Sequence, residues 1–164
     1  MLSDEKNAYL LLGSNLGNRL QYLDNAVSMI GERLGLVDQS SSTYETAAWG
    51  KTDQPAFLNR AVSLQTRLDP PSLLEGILKI ENELGRVRQD RWGERHIDID
   101  IIFYAKEVVE IPGKLRIPHA ELANRKFVLL PLAEIAPDFV HPVSGHTVSQ
   151  MLAKLDDPLA VTKI

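Results

Sequence analysis

Asp98 and Asp100 carry the strongest chemical signal in the sequence, because they alternate with Ile97, Ile99 and Ile101. Two positions along a strand span about 7 Å, and both side chains leave the same face. Adjacent carboxylates repel, and a divalent cation between them relieves that repulsion. Paired magnesium ions in phosphoryl-transfer sites sit about 3.5–4 Å apart, which two such carboxylates can span together with substrate oxygens. An isolated Asp-x-Asp is more often a solvated strand face, so the neighbours matter. Arg86, Arg88, Arg91 and Arg95 fall immediately upstream. Each offers a planar fork of donors that matches phosphate oxygens and can neutralise charge on a moving phosphoryl group. Taken alone, the arginines fit a solvated surface loop as well. A basic loop contiguous with two carboxylates suits a metal-bound polyphosphate, which needs both kinds of partner.

Other signals are weaker. Gly13-Ser14-Asn15-Leu16-Gly17-Asn18 joins a strand to a helix but holds neither G-x-x-x-x-G-K-[ST] nor G-x-G-x-x-G, so a plain turn describes it better than a phosphate loop. Phe57 and Asn59 share a strand face, which can pair ring stacking with amide recognition of a flat heterocycle; core packing is the commoner role for such a phenylalanine. His119 is open on pattern alone. His141 and His146 lack a metal-ligand context and read as structural.

The elements that position these residues follow from periodicity. Residues 8–12 form a short apolar run ended by Gly13, a buried strand. Asn18 caps a helix whose apolar positions are Leu20, Leu23, Val27, Ile30 and Leu34, closed by Gly35. Residues 36–44 read as one strand with a polar, serine-rich middle, and 46–56 as a loop. Residues 57–66 form a strand with Leu58, Val62 and Leu64 on one face and Phe57, Asn59 and Ala61 on the other. Asp69 with Pro70 and Pro71 starts a second helix, continued by Leu74, Ile77, Leu78, Glu81 and Leu84 and ended by Gly85. After the arginine loop, 96–104 is the clearest strand, with Ile97, Ile99, Ile101 and Phe103 on one face and Asp98, Asp100 and Ile102 on the other. A short strand at 108–111, a helix at 127–136 with Pro131 near its start or kinking it, and a last helix at 147–155 complete the chain. The order is the ferredoxin-like split βαββαβ: an α+β fold with an antiparallel sheet, helices packed on one face, and a mixed C-terminal extension.

The 164 residues, 44% hydrophobic and 24% charged, suit one soluble domain spanning 1–164. No run approaches a membrane helix, and the N-terminus has no secretory pattern, so a cytoplasmic protein without a membrane partner is expected; a monomer is the expectation for its assembly, which these patterns do not decide. The absence of cysteine excludes disulfides, cysteine-ligated zinc and thiol catalysis. A net charge of −4 argues against a general nucleic-acid partner.

The run Arg91-Trp92-Gly93-Glu94-Arg95-His96-Ile97-Asp98-Ile99-Asp100-Ile101-Ile102 closely resembles the signature of the 6-hydroxymethyl-7,8-dihydropterin pyrophosphokinases. Gly13-Ser14-Asn15-Leu16-Gly17, Asp53-Gln54-Pro55, Phe57-Leu58-Asn59, Gly85-Arg86-Val87-Arg88, Pro118-His119 and Asn124-Arg125 extend the resemblance over about residues 9–152. It implies an enzyme that moves the β,γ-diphosphate of ATP onto the hydroxymethyl group of the pterin, releasing AMP, in folate synthesis. It further implies that Asp98 and Asp100 hold two Mg²⁺ and that Arg86 and Arg95 are catalytic. Glu81, Arg88, Trp92, Arg95, Ile101, Arg116, His119 and Arg125 fall at its ATP-contacting positions. The pterin is expected between Phe57 and Phe127, with Asp98 close by and with Asn59 and the backbone from Thr46 to Trp49 reading its edge. Departures from the pattern are Phe57 where tyrosine is frequent, Ala47-Ala48 for a proline pair, Leu78, Ala120, and a stretch from Arg88 to Trp92 that is one residue short. Two further classes remain compatible with the residues alone: another two-metal nucleotidyl or phosphoryl transferase, and a non-catalytic ferredoxin-like ligand-binding module.

Overall fold

The computed structural model describes residues 4–46, 56–85 and 96–164. Strand β1 (Lys6–Ser14) is followed by helix α1 (Arg19–Arg33), strands β2 (Leu36–Ser40), β3 (Tyr44–Thr46) and β4 (Phe57–Thr66), and helix α2 (Pro70–Glu83). Then come β5 (Asp98–Tyr104), the hairpin β6 (Val109–Ile111) and β7 (Leu115–Ile117), helices α3 (Lys126–Ile135) and α4 (Val148–Lys154), and β8 (Val161–Lys163). The main sheet runs β5-β1-β4-β3-β8, with β2 also paired to β4, and its pairings are antiparallel. This arrangement confirms the α+β class and matches the split βαββαβ order.

Local chemistry sets the helix ends. The Asn18 side chain accepts from Gln21 N–H at 3.2 Å, and that of Asp69 from Ser72 N–H at 2.9 Å, followed by two prolines whose missing N–H groups cost nothing there. Gly35 after α1 is fixed by close approach: a Cβ there would lie 2.1 Å from the Gln65 carbonyl oxygen. Thr147 caps α4 in a capping box with Gln150.

The structure corrects the sequence reading in five places. The expected single strand 36–44 is two strands, because side chains compete with the ladder. The Ser41 hydroxyl, instead of a main-chain carbonyl, accepts the Ala61 N–H at 2.9 Å, and Glu134 takes the Ser42 N–H. Strand β1 runs through Gly13 to Ser14, so Gly13 belongs to the sheet and not to the turn. Phe103 leaves the Ile97, Ile99 and Ile101 face. The register with β1 slips between Tyr9 and Leu10, so Ile102 is an extra residue, Ile102 and Phe103 both enter the second core, and Tyr104 takes the first. Helices also cover both faces. Helices α1 and α2 bury Leu23, Ile30, Leu73, Ile77 and Ile80 against Leu10, Leu12, Val62 and Ile99. Helices α3 and α4 bury Val128, Leu129, Leu132 and Val148 against Tyr9, Leu11, Ala61 and Ile102. Each such fully buried side chain is worth about 1.5–3 kcal/mol of transfer free energy. Leu20 and Leu78, which the periodicity placed with the apolar positions, are exposed. No described helix is long and apolar enough to cross a membrane.

Candidate active site

Strand register assembles the floor of the site. Gly13 in β1 stands opposite Asn59 of β4 on one side and Asp98 of β5 on the other, and Leu11 stands opposite Asp100. Residues directly opposite in a sheet share a face, so Asn59, Gly13 and Asp98 form one row across three strands. Glycine in the middle leaves a notch: a Cβ on Gly13 would fall 2.8 Å from Asn59 Oδ1. At the end of β4, Phe57 pairs with Thr46 of β3. Over this floor, Arg125 and Phe127 at the start of α3 and Leu159 from the C-terminal segment supply the walls. The result is a cavity of about 250 Å³ lined by Leu11, Gly13, Thr46, Phe57, Asn59, Asp98, Asp100, Arg125, Phe127 and Leu159. Asn59 and Thr46 are buried, and among the described residues the Thr46 hydroxyl oxygen has no hydrogen-bond partner.

Charge is distributed around the cavity in fixed contacts. Asp98 and Asp100 are half-buried. His119 Nε2 lies 3.9 Å from Asp100 Oδ1, and burial lowers the His119 pKa against an opposing pull from Glu121. The Arg125 guanidinium lies 5.3 Å from the centroid of the Phe127 ring, a cation–π contact. Helix α3 is tied to β3 by Glu134, which accepts from Tyr44 Oη at 2.6 Å and from Ser42. Burial, with the bond to Glu134, pushes the Tyr44 hydroxyl up to about 12. Among the described residues no group of three or more His, Cys, Asp and Glu could hold a metal. Two carboxylates still fit magnesium, which is commonly held by one or two carboxylates, substrate phosphates and water.

The family model described as 7,8-dihydro-6-hydroxymethylpterin-pyrophosphokinase (HPPK) matches residues 9–137, well over half the chain. The chain belongs to the HPPK family. A 2-amino-4-hydroxy-6-hydroxymethyldihydropteridine pyrophosphokinase of Methylorubrum extorquens is 49% identical over 150 residues, covering 91% of this chain and 93% of its own length. The Synechocystis HPPK of the same name is 42% identical over 146 residues, covering 88% of this chain and 74% of its own. In structure, the chain resembles a Plasmodium falciparum HPPK-DHPS variant crystallised with SDX-DHP, with a TM-score of 0.78 at 20% identity. That match covers 93% of this chain and 46% of the longer one, and it speaks for the fold. Family membership favours the pyrophosphokinase reading over the nucleotidyl-transferase and non-catalytic alternatives.

Of the positions drawn from the HPPK resemblance, Thr46, Phe57, Asn59, Asp98, Asp100, Arg125 and Phe127 meet in the one cavity. Glu81, Ile101, Arg116 and His119 do not line it. Glu81 accepts from the Ile99 N–H at 2.8 Å, and His119 N–H donates to the Ile102 carbonyl at 3.1 Å. Both contacts lie along the outer edge of β5, whose strand partner among the described residues is β1. The Ile101 side chain is buried in the core beneath α1 and α2, so a ligand there can meet only its main chain. Arg116 is exposed on β7, 4.0 Å from Glu110. Trp49, Ala47, Ala48, Asp53, Gln54, Pro55, Arg86, Val87, Arg88, Arg91, Trp92, Gly93, Glu94 and Arg95 lie outside the described residues. The residues flanking 86–95 meet, with His96 Nδ1 2.5 Å from the Gly85 carbonyl oxygen and the His96 ring stacked on Tyr22. Sequence reasoning missed Leu11, Gly13 and Leu159. Gly13 could have been found from its place opposite two site positions in a paired sheet; Leu159 carries no periodic signal.

Proposed function

We propose that the chain transfers the β,γ-diphosphate of ATP to the hydroxymethyl group of 6-hydroxymethyl-7,8-dihydropterin, yielding AMP and the pterin diphosphate in folate biosynthesis. One observation carries this reading. A single cavity joins two aromatic rings and two buried polar side chains to the paired aspartates. The pterin stacks between Phe57 and Phe127. The Asn59 amide and the Thr46 hydroxyl, which has no partner among the described residues, satisfy its polar edge, since leaving such buried groups unmatched costs about 1–3 kcal/mol each. That orientation leaves the hydroxymethyl group toward Asp98 and Asp100.

The triphosphate reaches the aspartates from the outer edge of β5, where Glu81, the Ile101 main chain and His119 lie. The Ile99 N–H already points off this edge to Glu81, and strand alternation turns the Ile101 main-chain groups the same way. Arg125 at the cavity wall contributes positive charge to the phosphates, with Arg116 further out. Asp98 and Asp100 would hold two Mg²⁺, which neutralise phosphate charge and make the attacking hydroxyl more acidic. The hydroxymethyl oxygen bonds to the β-phosphorus, the bond from that phosphorus to the α,β-bridging oxygen breaks, AMP departs with that oxygen, and the hydroxyl proton is released to solvent. Arg86, Arg88, Trp92 and Arg95 belong to this reading through the family resemblance, Arg86 and Arg95 as neutralisers of the moving diphosphate. The whole of 1–164 acts as one domain, since one sheet carries both cores.

Phosphorus NMR of the reaction with ATP and the pterin tests the reading. AMP and a pterin diphosphate ester are expected, with no turnover in EDTA. ADP with a pterin monophosphate would overturn attack at the β-phosphorus.

A further inference from the structure

Asp157, in the segment between α4 and β8, holds three donors. Its Oδ2 accepts from Arg125 Nε at 2.9 Å and from the Lys126 N–H at 3.2 Å. Its Oδ1 accepts from the Leu159 N–H at 3.1 Å. The carboxylate side chain is 8% exposed, against 31% for Arg125. Lys126 is the first residue of α3, and Arg125 at the cap position makes no capping bond of its own. Asp157 therefore caps α3 from a distant part of the chain and sets a negative charge at the positive end of the helix.

These contacts converge on the cavity. Arg125, Phe127 and Leu159 all line it, and the Arg125 guanidinium also lies over the Phe127 ring. Beyond Leu159 the chain enters β8, where Val161 pairs with Thr46, another cavity residue. One carboxylate thus fixes a cation, the first turn of the helix bearing an aromatic wall, and the backbone bearing an aliphatic wall.

We propose that Asp157 is a positioning residue for diphosphate transfer: it holds the Arg125 guanidinium at the cavity wall before substrate arrives. The inference rests on the assignment of Arg125 to the nucleotide phosphates. A long arginine side chain loses much rotamer freedom when it is fixed. With Asp157 in place that ordering is done during folding and does not weaken nucleotide binding. The hydrogen bond from Arg125 holds the Asp157 carboxyl down at about 2, so the anchor stays ionised throughout the neutral range.

The test is a double-mutant cycle on Asp157→Asn and Arg125→Ala. Binding of α,β-methylene-ATP with Mg²⁺ is measured by calorimetry, and KM and kcat are measured for both substrates. Asp157→Asn should raise the analogue Kd and the KM for ATP about tenfold, with kcat within threefold of wild type. Arg125→Ala should weaken the analogue at least as much. The double variant should match Arg125→Ala within twofold, because Asp157 acts through Arg125. Wild-type affinity in Asp157→Asn, or losses that multiply in the double variant, would overturn the inference while leaving Arg125 on the nucleotide. Wild-type affinity in Arg125→Ala would instead overturn the assignment of Arg125, and the inference with it. If Asp157→Asn does not fold, the same cycle with Asp157→Glu, which keeps the charge but moves it by one methylene, gives the same readings.

Discussion

Gly13→Ala should separate stability from pterin binding. The added Cβ meets one close neighbour: it would lie 2.8 Å from Asn59 Oδ1, with the next atoms, Asn59 Cγ and the Leu58 carbonyl oxygen, at 3.9 Å. The obstacle is therefore the end of a side chain, and the Asn59 amide must rotate or retreat. A strand-interior alanine is tolerated where the backbone needs no positive φ, and Gly13 is not among the positive-φ glycines. Replacing glycine at a compatible site stabilises by about 0.4–1 kcal/mol through the unfolded chain, which offsets the shift of Asn59. Global stability should thus stay within about 1 kcal/mol of wild type. Pterin recognition has no such compensation. Losing one well-placed amide contact in a buried site, with its partner left unpaired, costs about 1–3 kcal/mol, equivalent to roughly 5–150-fold in Kd. Calorimetric titration with the pterin, beside α,β-methylene-ATP as the control ligand, reads the split, and urea unfolding reads stability. A folded Gly13→Ala protein that binds pterin within twofold of wild type would show that Asn59 does not read the pterin. Equal weakening of both ligands would show a general distortion of the sheet.

Asp98→Asn and Asp100→Asn should each lower kcat about a thousandfold, close to 4 kcal/mol of transition-state stabilisation, while circular dichroism stays native; a rate within tenfold of wild type for either removes that residue from the metal site. Acidification should destabilise the fold through His141, whose Nδ1 accepts from the Val143 and Ser144 N–H groups at 3.1 Å each and whose pKa burial lowers. Below the unfolded value of about 6.5 the unfolded chain takes up the proton first, so this contribution is intact above that pH and is lost as pH falls through the lowered folded value. His141→Asn should flatten the fall in melting temperature between pH 7 and 5, and an unchanged slope would refute the assignment.

The legible parts of the sequence were those decided by local chemistry. Asn18 and Asp69 cap where their side chains reach the next turn, and 57–66 alternates cleanly because its two faces meet two different cores. The paired aspartates stand out because they share the strand face opposite three isoleucines and follow directly on an arginine-rich run. Phe103 was placed on the wrong face because the bulge that moves it is set by pairing with Tyr9 and Leu10, remote in sequence. The break between β2 and β3 depends on Ser41 meeting Ala61, another non-local event. Helix α3, with Val128, Leu129, Pro131 and Leu132 all buried, is apolar around much of its circumference, so its pattern does not say which face of the sheet it covers. Asp157 and Leu159 gave no signal at all. Leu159 lies in an irregular segment with no period to read, and a carboxylate that caps a distant helix is locally indistinguishable from any surface aspartate.

The outer edge of β5, which pairs with no strand among the described residues, bears on association between copies of the chain. A strand edge left without a strand partner is a template for another chain's backbone. Here the outward Ile99 N–H is taken by the Glu81 carboxylate and the Ile102 carbonyl by the His119 N–H, with the stretch at Ile101 between them. The gap spans too few residues to start a ladder with a second copy, and the acidic side chain at its margin discourages a neighbouring strand. At the other end of the main sheet, β8 is only three residues long. The same two contacts that flank the proposed nucleotide stretch therefore also guard this edge against pairing with a second copy.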